Sequence, residues 1–447
     1  MRPSLARCAL CRGALLACAL AALLASPSVS QTQRIQQDKP PRDQATPREK
    51  GQTANRGSIA KQGPADFRSQ NFFIHTDLAA DDAKQLLERL ETMLGLISAY
   101  WAREPSGVIE CFVVKDLANW PPGAIPDEGL PHIRGGAGVT ITRTLTTGAS
   151  VIARSVVYAV ADRGTPQHEA VHAFCGQAFG TTGPVWYSEG MAEMGKYWRK
   201  DDKSVQCFDV VIDYLHRSEP KSLHEIVNGK EFTGDSWQNY AWRWALCHLL
   251  ANNTNYAAKF RPLGLALLKK EPASFEQVYG DMAREIMFEY RFFLRHLEQG
   301  YRCDLCSWDW SWKKKKKPRA LKGTTNVTAK LKADRGWQPA GALVTEGGTY
   351  EYKAAGTWRV GKDGTDLTAD GADEGGAGRL VAAVLEAGDK EQAYSLGDEI
   401  ELGADGTFTA PAAGQLYLRC RDAWGQLADN QGTITVKLKA SRKGKGD

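Results

Sequence analysis

The chain has 447 residues, 43% of them hydrophobic and 24% charged, which is too long for one ordinary core and predicts two or three domains of about 100 to 200 residues each. Collagen-like, wholly disordered and polytopic membrane classes are excluded by that composition. The 57 Lys plus Arg against 52 Asp plus Glu leave only +5, part of it in Lys313 to Lys317 and in the tail around Lys443 and Lys445, so no nucleic-acid partner is expected.

Arg2, Arg7 and Arg12 precede the apolar run Ala14 to Ala25, and the small residues Ser28, Val29 and Ser30 follow it. That order reads as a secretory signal peptide over residues 1–30. The apolar run is too short to cross a hydrocarbon layer of about 30 Å as a helix, so the expected destination is the periplasm, the cell envelope or the medium. Cys18, behind Leu15, Leu16 and Ala17, offers lipidation as an alternative. Residues 31–66 are rich in Gln, Lys, Arg, Asp and Pro and nearly lack branched or aromatic apolar side chains. Such a segment buries too little to offset its ordering entropy, and a disordered spacer is expected.

Phe72, Phe73 and Ile74 begin ordered patterning as a short strand. Leu86, Leu90, Met93, Leu94, Ile97 and Trp101 then recur at spacings of three and four, which predicts a long amphipathic helix. Apolar runs at Val108 to Val114, Gly138 to Ile141 and Val156 to Val160 read as strands of one sheet, and helical periodicity dominates from there to about Tyr301. The expected unit is an α+β domain over 67–302, an N-terminal sheet with a helical remainder.

A linker is expected over 303–322. It carries Trp308, Trp310 and Trp312 and then five lysines, Lys313 to Lys317. Tryptophans covering a neighbouring domain face are the bland interpretation, and contact with a polyanion or a membrane surface is the sharper one. Past the signal peptide seven cysteines remain: Cys111, Cys175, Cys207, Cys247, Cys303, Cys306 and Cys420. An odd number leaves at least one thiol unpaired. The lone Cys303-x-x-Cys306 is expected to be a small disulfide loop or simply buried rather than half a zinc site.

The segment that carries chemistry is Gln167-His168-Glu169-Ala170-Val171-His172, an H-E-x-x-H behind Pro166. On a helix, His168 and His172 share one face a turn apart, where two imidazoles can bind one zinc, and Glu169 projects to the side toward water. A second helix follows in Val185-Trp186-Tyr187-Ser188-Glu189-Gly190-Met191-Ala192-Glu193-Met194, with Glu189 seventeen positions after His172. A catalytic zinc takes three protein ligands and keeps one position open, so Glu189 is expected as the third. Glu193, one turn further on, is placed to accept the outward N–H of a ligating histidine and fix its tautomer.

H-E-x-x-H followed by W-Y-x-E-G-x-A-E resembles the gluzincin metallopeptidases, and within them the exported bacterial proteins of peptidase MA-like type. The likeness runs over roughly Phe67 to Tyr301 and is specific at these two helices. It implies that His168, His172 and Glu189 hold zinc and that Glu169 is the general base, taking a proton from water and passing it to the leaving amine of a peptide or protein substrate. The G-x-M-E-N strand of the aminopeptidases has no counterpart here, so exopeptidase cleavage is not implied. Tyr240, in Trp237-Gln238-Asn239-Tyr240-Ala241-Trp242, stands where related aminopeptidases place an oxyanion-binding tyrosine. An ordinary core aromatic is the equal alternative. The strand around Gly138 to Ile141 could hold an extended peptide by edge pairing. The remaining histidines, His75, His132, His216, His224, His248 and His296, are expected to be structural.

Beyond Ala320, glycines cluster, and short alternating runs such as Thr349 to Tyr352, Gly414 to Arg419 and Thr433 to Leu438 are bounded by turn residues. This predicts a separate all-β sandwich over 323–440, followed by a basic tail at 441–447. Leu416-Tyr417-Leu418-Arg419-Cys420-Arg421-Asp422 with Leu427-Ala428-Asp429-Asn430-Gln431-Gly432 resembles the calcium-dependent galactose-binding lectin of the PA-I type. The resemblance implies a calcium site built from Asp422, Asp429 and Asn430 with backbone carbonyls of Gln426 and Val344, and a glycan or cell-surface ligand. The loop Gly361 to Gly378 lacks the histidine and glutamine that contact galactose in that lectin, so no sugar is implied. An Asp-Asn-x-Gly turn without a ligand is the equal alternative.

The expectation is a multidomain exported zinc metallopeptidase, a hydrolase of gluzincin type joined to a lectin-like β-sandwich. Its rivals are a surface- or carbohydrate-binding protein whose peptidase-like domain cleaves nothing, and a purely structural envelope protein.

Overall fold

The computed structural model describes residues 63–147, 150–228, 237–313, 317–372, 376–388 and 394–441. The signal peptide with Cys18, the spacer up to residue 62, the lysines at 314–316 and the basic tail from 442 lie outside the described residues. No helix among the described residues is long and apolar enough to cross a membrane.

Strands β1 (Ala65–Arg68) and β2 (Phe72–Thr76) form a hairpin, and helix α1 (Ala80–Trp101) leads to β3 (Ile109–Val114). The short α2 (Leu130–Arg134) precedes a long hairpin of β4 (Gly138–Thr147) and β5 (Ser150–Val160). The sheet order is β1-β2-β3-β5-β4, with β2, β3 and β5 parallel and β4 an antiparallel edge. The sheet therefore begins at Ala65, just ahead of the expected start at 67, because Asp66 pairs with His75. Strands β4 and β5 also outrun their apolar cores, since Thr and Ser carry the extended backbone on where the apolar runs stop. Leu86, Leu90, Met93, Leu94, Ile97 and Trp101 of α1 are buried together with Phe72 and Ile74 of β2 and Cys111 and Val113 of β3.

Eight α-helices follow among the described residues: α3 (Thr165–Phe179), α4 (Val185–Tyr197), α5 (Asp209–Arg217), α6 (Leu223–Val227), α7 (Trp237–Asn252), α8 (Ala257–Leu268), α9 (Phe275–Tyr279) and α10 (Ala283–Arg295). Asp162 caps α3, accepting from the backbone N–H of Gly164 at 2.8 Å and of Thr165 at 2.6 Å, and Pro166 sits in the first turn, where a missing N–H costs nothing. Gly180 ends the helix in the left-handed conformation at φ 72°. Since α3 is buried on almost every side, its apolar periodicity is weak. Helices α4 and α7 approach closely at Gly190, where a Cβ would lie 2.4 Å from Cys247 Sγ and 2.8 Å from the Arg243 carbonyl oxygen. Only glycine permits that approach.

The second half is a β-sandwich of β6 (Arg319–Ala320), β7 (Asn326–Lys332), β8 (Gln338–Val344), β9 (Thr349–Arg359), β10 (Asp366–Leu367), β11 (Leu380–Glu386), β12 (Ser395–Leu396), β13 (Ile400–Glu401), β14 (Asp405–Thr409), β15 (Gly414–Cys420) and β16 (Gln431–Ala440). One sheet runs β10-β9-β16-β7 with β14 on β9, and the other runs β12-β11-β15-β8-β6 with β13 on β11. Strand β6 joins β8, so the sandwich takes up the chain at Arg319, ahead of the expected 323. Alternate residues of β7 are buried, as expected for a strand with one wet face. Strand β11 is buried on both faces. Leu380, Ala382 and Val384 enter the sandwich core, while Val381, Ala383 and Leu385 meet Phe288 and Phe292 of α10 and Trp308 of the linker.

Trp310 and Trp312 pack on the same junction, which is the bland interpretation of the tryptophans, and Lys313 is ion-paired with Glu285. Glu289 of α10 ties the linker down. It accepts from Trp308 N at 3.1 Å, Trp310 Nε1 at 2.7 Å, Tyr256 Oη at 2.6 Å, Asn253 Nδ2 at 2.5 Å and Asn255 Nδ2 at 3.0 Å. Cys303 and Cys306 are buried free thiols in a turn beside this junction, and the other five cysteines beyond the signal peptide are also buried and free.

Candidate metal centre

Helices α3 and α4 bring His168, His172 and Glu189 to one point. His168 Nε2 is 3.2 Å from His172 Nε2 and 3.2 Å from Glu189 Oε2, and His172 Nε2 is 3.5 Å from Glu189 Oε2. Donors arranged tetrahedrally about zinc at about 2.0–2.1 Å are about 3.3–3.4 Å from one another, so the spacing fits that ion. Among the described residues, no other group of three or more His, Cys, Asp or Glu side chains is gathered this way.

The outer contacts settle which ring atoms face the point. Glu193 Oε1 lies 2.9 Å from His168 Nδ1, and Ser188 Oγ lies 3.2 Å from His172 Nδ1. With the Nδ1 atoms donating outward, both Nε2 lone pairs point inward beside the Glu189 carboxylate, and three electron pairs so close require a proton or a cation between them. Burial works against charge on His168, but its hydrogen bonds to the Glu189 and Glu193 carboxylates hold its pKa at about 10. Burial likewise opposes the charge of Glu189, yet His172 and His168 keep that carboxylate well below the usual range. Glu193 is also lowered against burial, chiefly by Lys196, whose ammonium is 3.3 Å from Oε1. A divalent ion fits this donor set in place of the proton.

Glu169 is buried, with Oε2 accepting from Thr140 Oγ1 at 2.9 Å. Strand β4 has no side chain at Gly138, where a Cβ would lie 2.9 Å from Glu169 Oε1 and 2.7 Å from its Cγ. The Glu169 carboxylate is thus pressed against the edge strand in the space a side chain would fill. Tyr240, half-buried near the start of α7, stands with its ring centroid 5.4 Å from that of His168.

The candidate calcium residues are only partly brought together. Asn430 donates from Nδ2 to Asp422 Oδ2 at 2.9 Å, and its Oδ1 accepts from Gly361 N at 2.8 Å. Asp429 Oδ2 accepts from Lys362 N at 3.3 Å, and Asp422 Oδ1 accepts from Ala423 N at 2.8 Å. Gln426 lies on a short helical turn, Trp424–Asp429, whose Trp424 packs edge-to-face on Phe292 and at a tilt on His296 of the first domain. Val344 does not join them. It pairs with Gly414 at the start of β15, whereas Asp422 follows that strand's end at Cys420, about 20 Å away along the strand.

Sequence reasoning missed Thr140, Ser188 and Lys196. Lys196 had a signal, since it lies three residues after Glu193 on the same helix. Ser188 adjoins Glu189, but nothing in its type announces a contact with His172. Thr140 reaches Glu169 across 29 positions of sequence, and no local pattern encodes that.

No protein-family profile matches the chain, and no curated protein matches it. Among solved structures it is similar to the "EclA N-terminal domain; PllA-like lectin", at 22% identity over 26% of this chain and 96% of that one, with a TM-score of 0.21. It is also similar to IMPa from Pseudomonas aeruginosa in complex with an O-glycopeptide, at 15% identity over 52% of this chain and 22% of that one, with a TM-score of 0.17. A functionally unknown conserved protein from Bacillus anthracis str. Ames matches at 13% identity over 28% of this chain and 24% of that one, with a TM-score of 0.16. The chain thus spans about a quarter or less of the length of the last two proteins.

Proposed function

We propose that the chain is a zinc-dependent peptidase whose α+β half hydrolyses peptide bonds and whose β-sandwich is a firmly docked accessory domain. The observation that carries this is the convergence of His168 Nε2, His172 Nε2 and Glu189 Oε2 within 3.2 to 3.5 Å of one another, beside a glutamate held on an edge strand. Zinc bound there supplies Lewis acidity toward a carbonyl and lowers the pKa of water toward neutrality. Glu193, which only accepts, keeps His168 in the tautomer that presents Nε2, and Ser188 lies where it can accept from Nδ1 of His172 and do the same there. Glu169 takes the proton of the attacking water and returns it to the leaving amine. The outer edge of β4, unpaired among the described residues, offers backbone N–H and C=O groups to an extended peptide, and Tyr240 donates to the developing oxyanion.

The test is direct. Purified protein should hold one zinc per chain and cleave casein in a chelator-sensitive way, and Glu169→Gln should keep the metal and lose the cleavage. Zinc-loaded protein that leaves both casein and a peptide library intact overturns the proposal. The rival, an inert α+β half beside a working glycan-binding sandwich, gains nothing from the Asp422 to Asn430 loop, whose side chains are engaged by one another and by the backbone N–H groups of Gly361 and Lys362. Calcium in elemental analysis, together with calcium-dependent retention on immobilised glycans, would favour that rival.

A further inference from the structure

Strand β4 turns Gly138, Thr140 and Thr142 toward α3, and each meets that helix or its neighbour through something other than an apolar side chain. Gly138 makes room for the Glu169 carboxylate. Thr142 Oγ1 is 2.8 Å from Ser155 Oγ, which reaches the Ala173 carbonyl oxygen at 3.2 Å, one turn along α3 from Glu169. Between them, Thr140 Oγ1 lies 2.7 Å from the carbonyl oxygen of Glu169 and 2.9 Å from its Oε2. One hydroxyl, its single proton shared between two acceptors, therefore touches both the backbone and the far end of the same residue. A β-branched strand position facing a helix is ordinarily filled by valine or isoleucine, which pack but cannot donate. The hydroxyl here serves one partner, Glu169.

We infer that Thr140 is a positioning residue for Glu169. A glutamate side chain has three torsions, and a common anchor for its two ends holds the carboxylate in one place. The anchor sits on the edge strand itself, so a peptide aligned on β4 and the base that serves it are referred to the same backbone. A displacement of the base by about 1 Å costs on the order of a hundredfold in rate, which is the size of effect such an anchor prevents. The activity half of this inference rests on the peptidase reading above, and the structural half does not.

Two variants of the full-length protein test it. Thr140→Val keeps the shape of the side chain and removes the donor, and Thr140→Ser keeps the donor. With zinc-loaded protein and casein as the probe, Thr140→Val is expected to lower kcat about tenfold to a hundredfold with KM and zinc content unchanged, and Thr140→Ser to recover most of the rate. In crystals of the zinc-loaded variants, the Glu169 carboxylate should leave its wild-type position in Thr140→Val and keep it in Thr140→Ser. A Thr140→Val protein that merely melts earlier, with wild-type kcat or with the Glu169 carboxylate unmoved, overturns the inference. If the wild type cleaves nothing, the peptidase reading fails, and the position of the Glu169 carboxylate in the two variants still decides the role of Thr140.

Discussion

Glu193 Oε1 lies 2.9 Å from His168 Nδ1, and this one contact decides which nitrogen of the ring faces Glu189 and His172. Removing it with Glu193→Ala frees the ring to turn and leaves Lys196 without its partner. Zinc affinity should fall about 10- to 100-fold, read by competition with a chromophoric chelator. An unchanged dissociation constant would mean that Glu193 does not orient the ligand.

Gly138→Ala places a methyl group 2.7 Å from Glu169 Cγ and 2.7 Å from Thr165 Cγ2, on the proposed base and on the first turn of the helix that carries it. To relieve the contact, these side chains must leave their rotamers or α3 must shift. Overpacking of this kind costs about 1–3 kcal/mol, so a lower denaturation midpoint is expected together with loss of cleavage. Bound zinc should persist, because the methyl contacts none of the three donors.

Tyr240→Phe separates the two roles open to that ring. If its hydroxyl binds the oxyanion, kcat drops about 10²- to 10³-fold with little change in KM. If the ring only packs against His168, the rate holds, because Phe preserves the ring. The first outcome is expected.

His248 of α7 packs on Trp244 and Phe293, and its Nε2 has no partner among the described residues. Burial lowers its pKa to about 4, below the value of about 6.5 in an unfolded chain. The unfolded state therefore takes up the proton first. The stability is complete above pH about 6.5 and declines as the pH falls toward 4, by roughly 3 kcal/mol from this group. Urea midpoints measured across that range should slope downward with acid, and His248→Leu should flatten part of the slope.

Glu289→Ala withdraws the acceptor from Trp308 N, Trp310 Nε1, Tyr256 Oη, Asn253 Nδ2 and Asn255 Nδ2 at once. Each buried group left unsatisfied costs about 1–3 kcal/mol, so a loss of at least about 3 kcal/mol is expected. Limited proteolysis should then cut within the tryptophan-rich linker, which the wild type protects.

What the sequence made legible follows from how local each signal is. The 3- and 4-residue spacing of Leu86 to Trp101 marks α1, because burial along a helix repeats with the helix. The offsets from His168 to His172 and from Glu189 to Glu193 mark the cluster of side chains at the candidate metal centre, since neighbours at one helix turn leave a fixed spacing. The register of β8 on β15 has no such trace. It places Gly414 opposite Val344, and pairing between strands so far apart in sequence is set by the folded sheet rather than by either strand alone. The same is true of Thr140 on Glu169 and of Gly190 against Cys247, contacts that exist only once two elements have docked.

The outward face of β11 ends in the aromatic join with α10 and Trp308 rather than in solvent. Any ligand of the sandwich would thereby be carried at a constant lever arm from the paired imidazoles, instead of roaming on a tether whose length would dilute it.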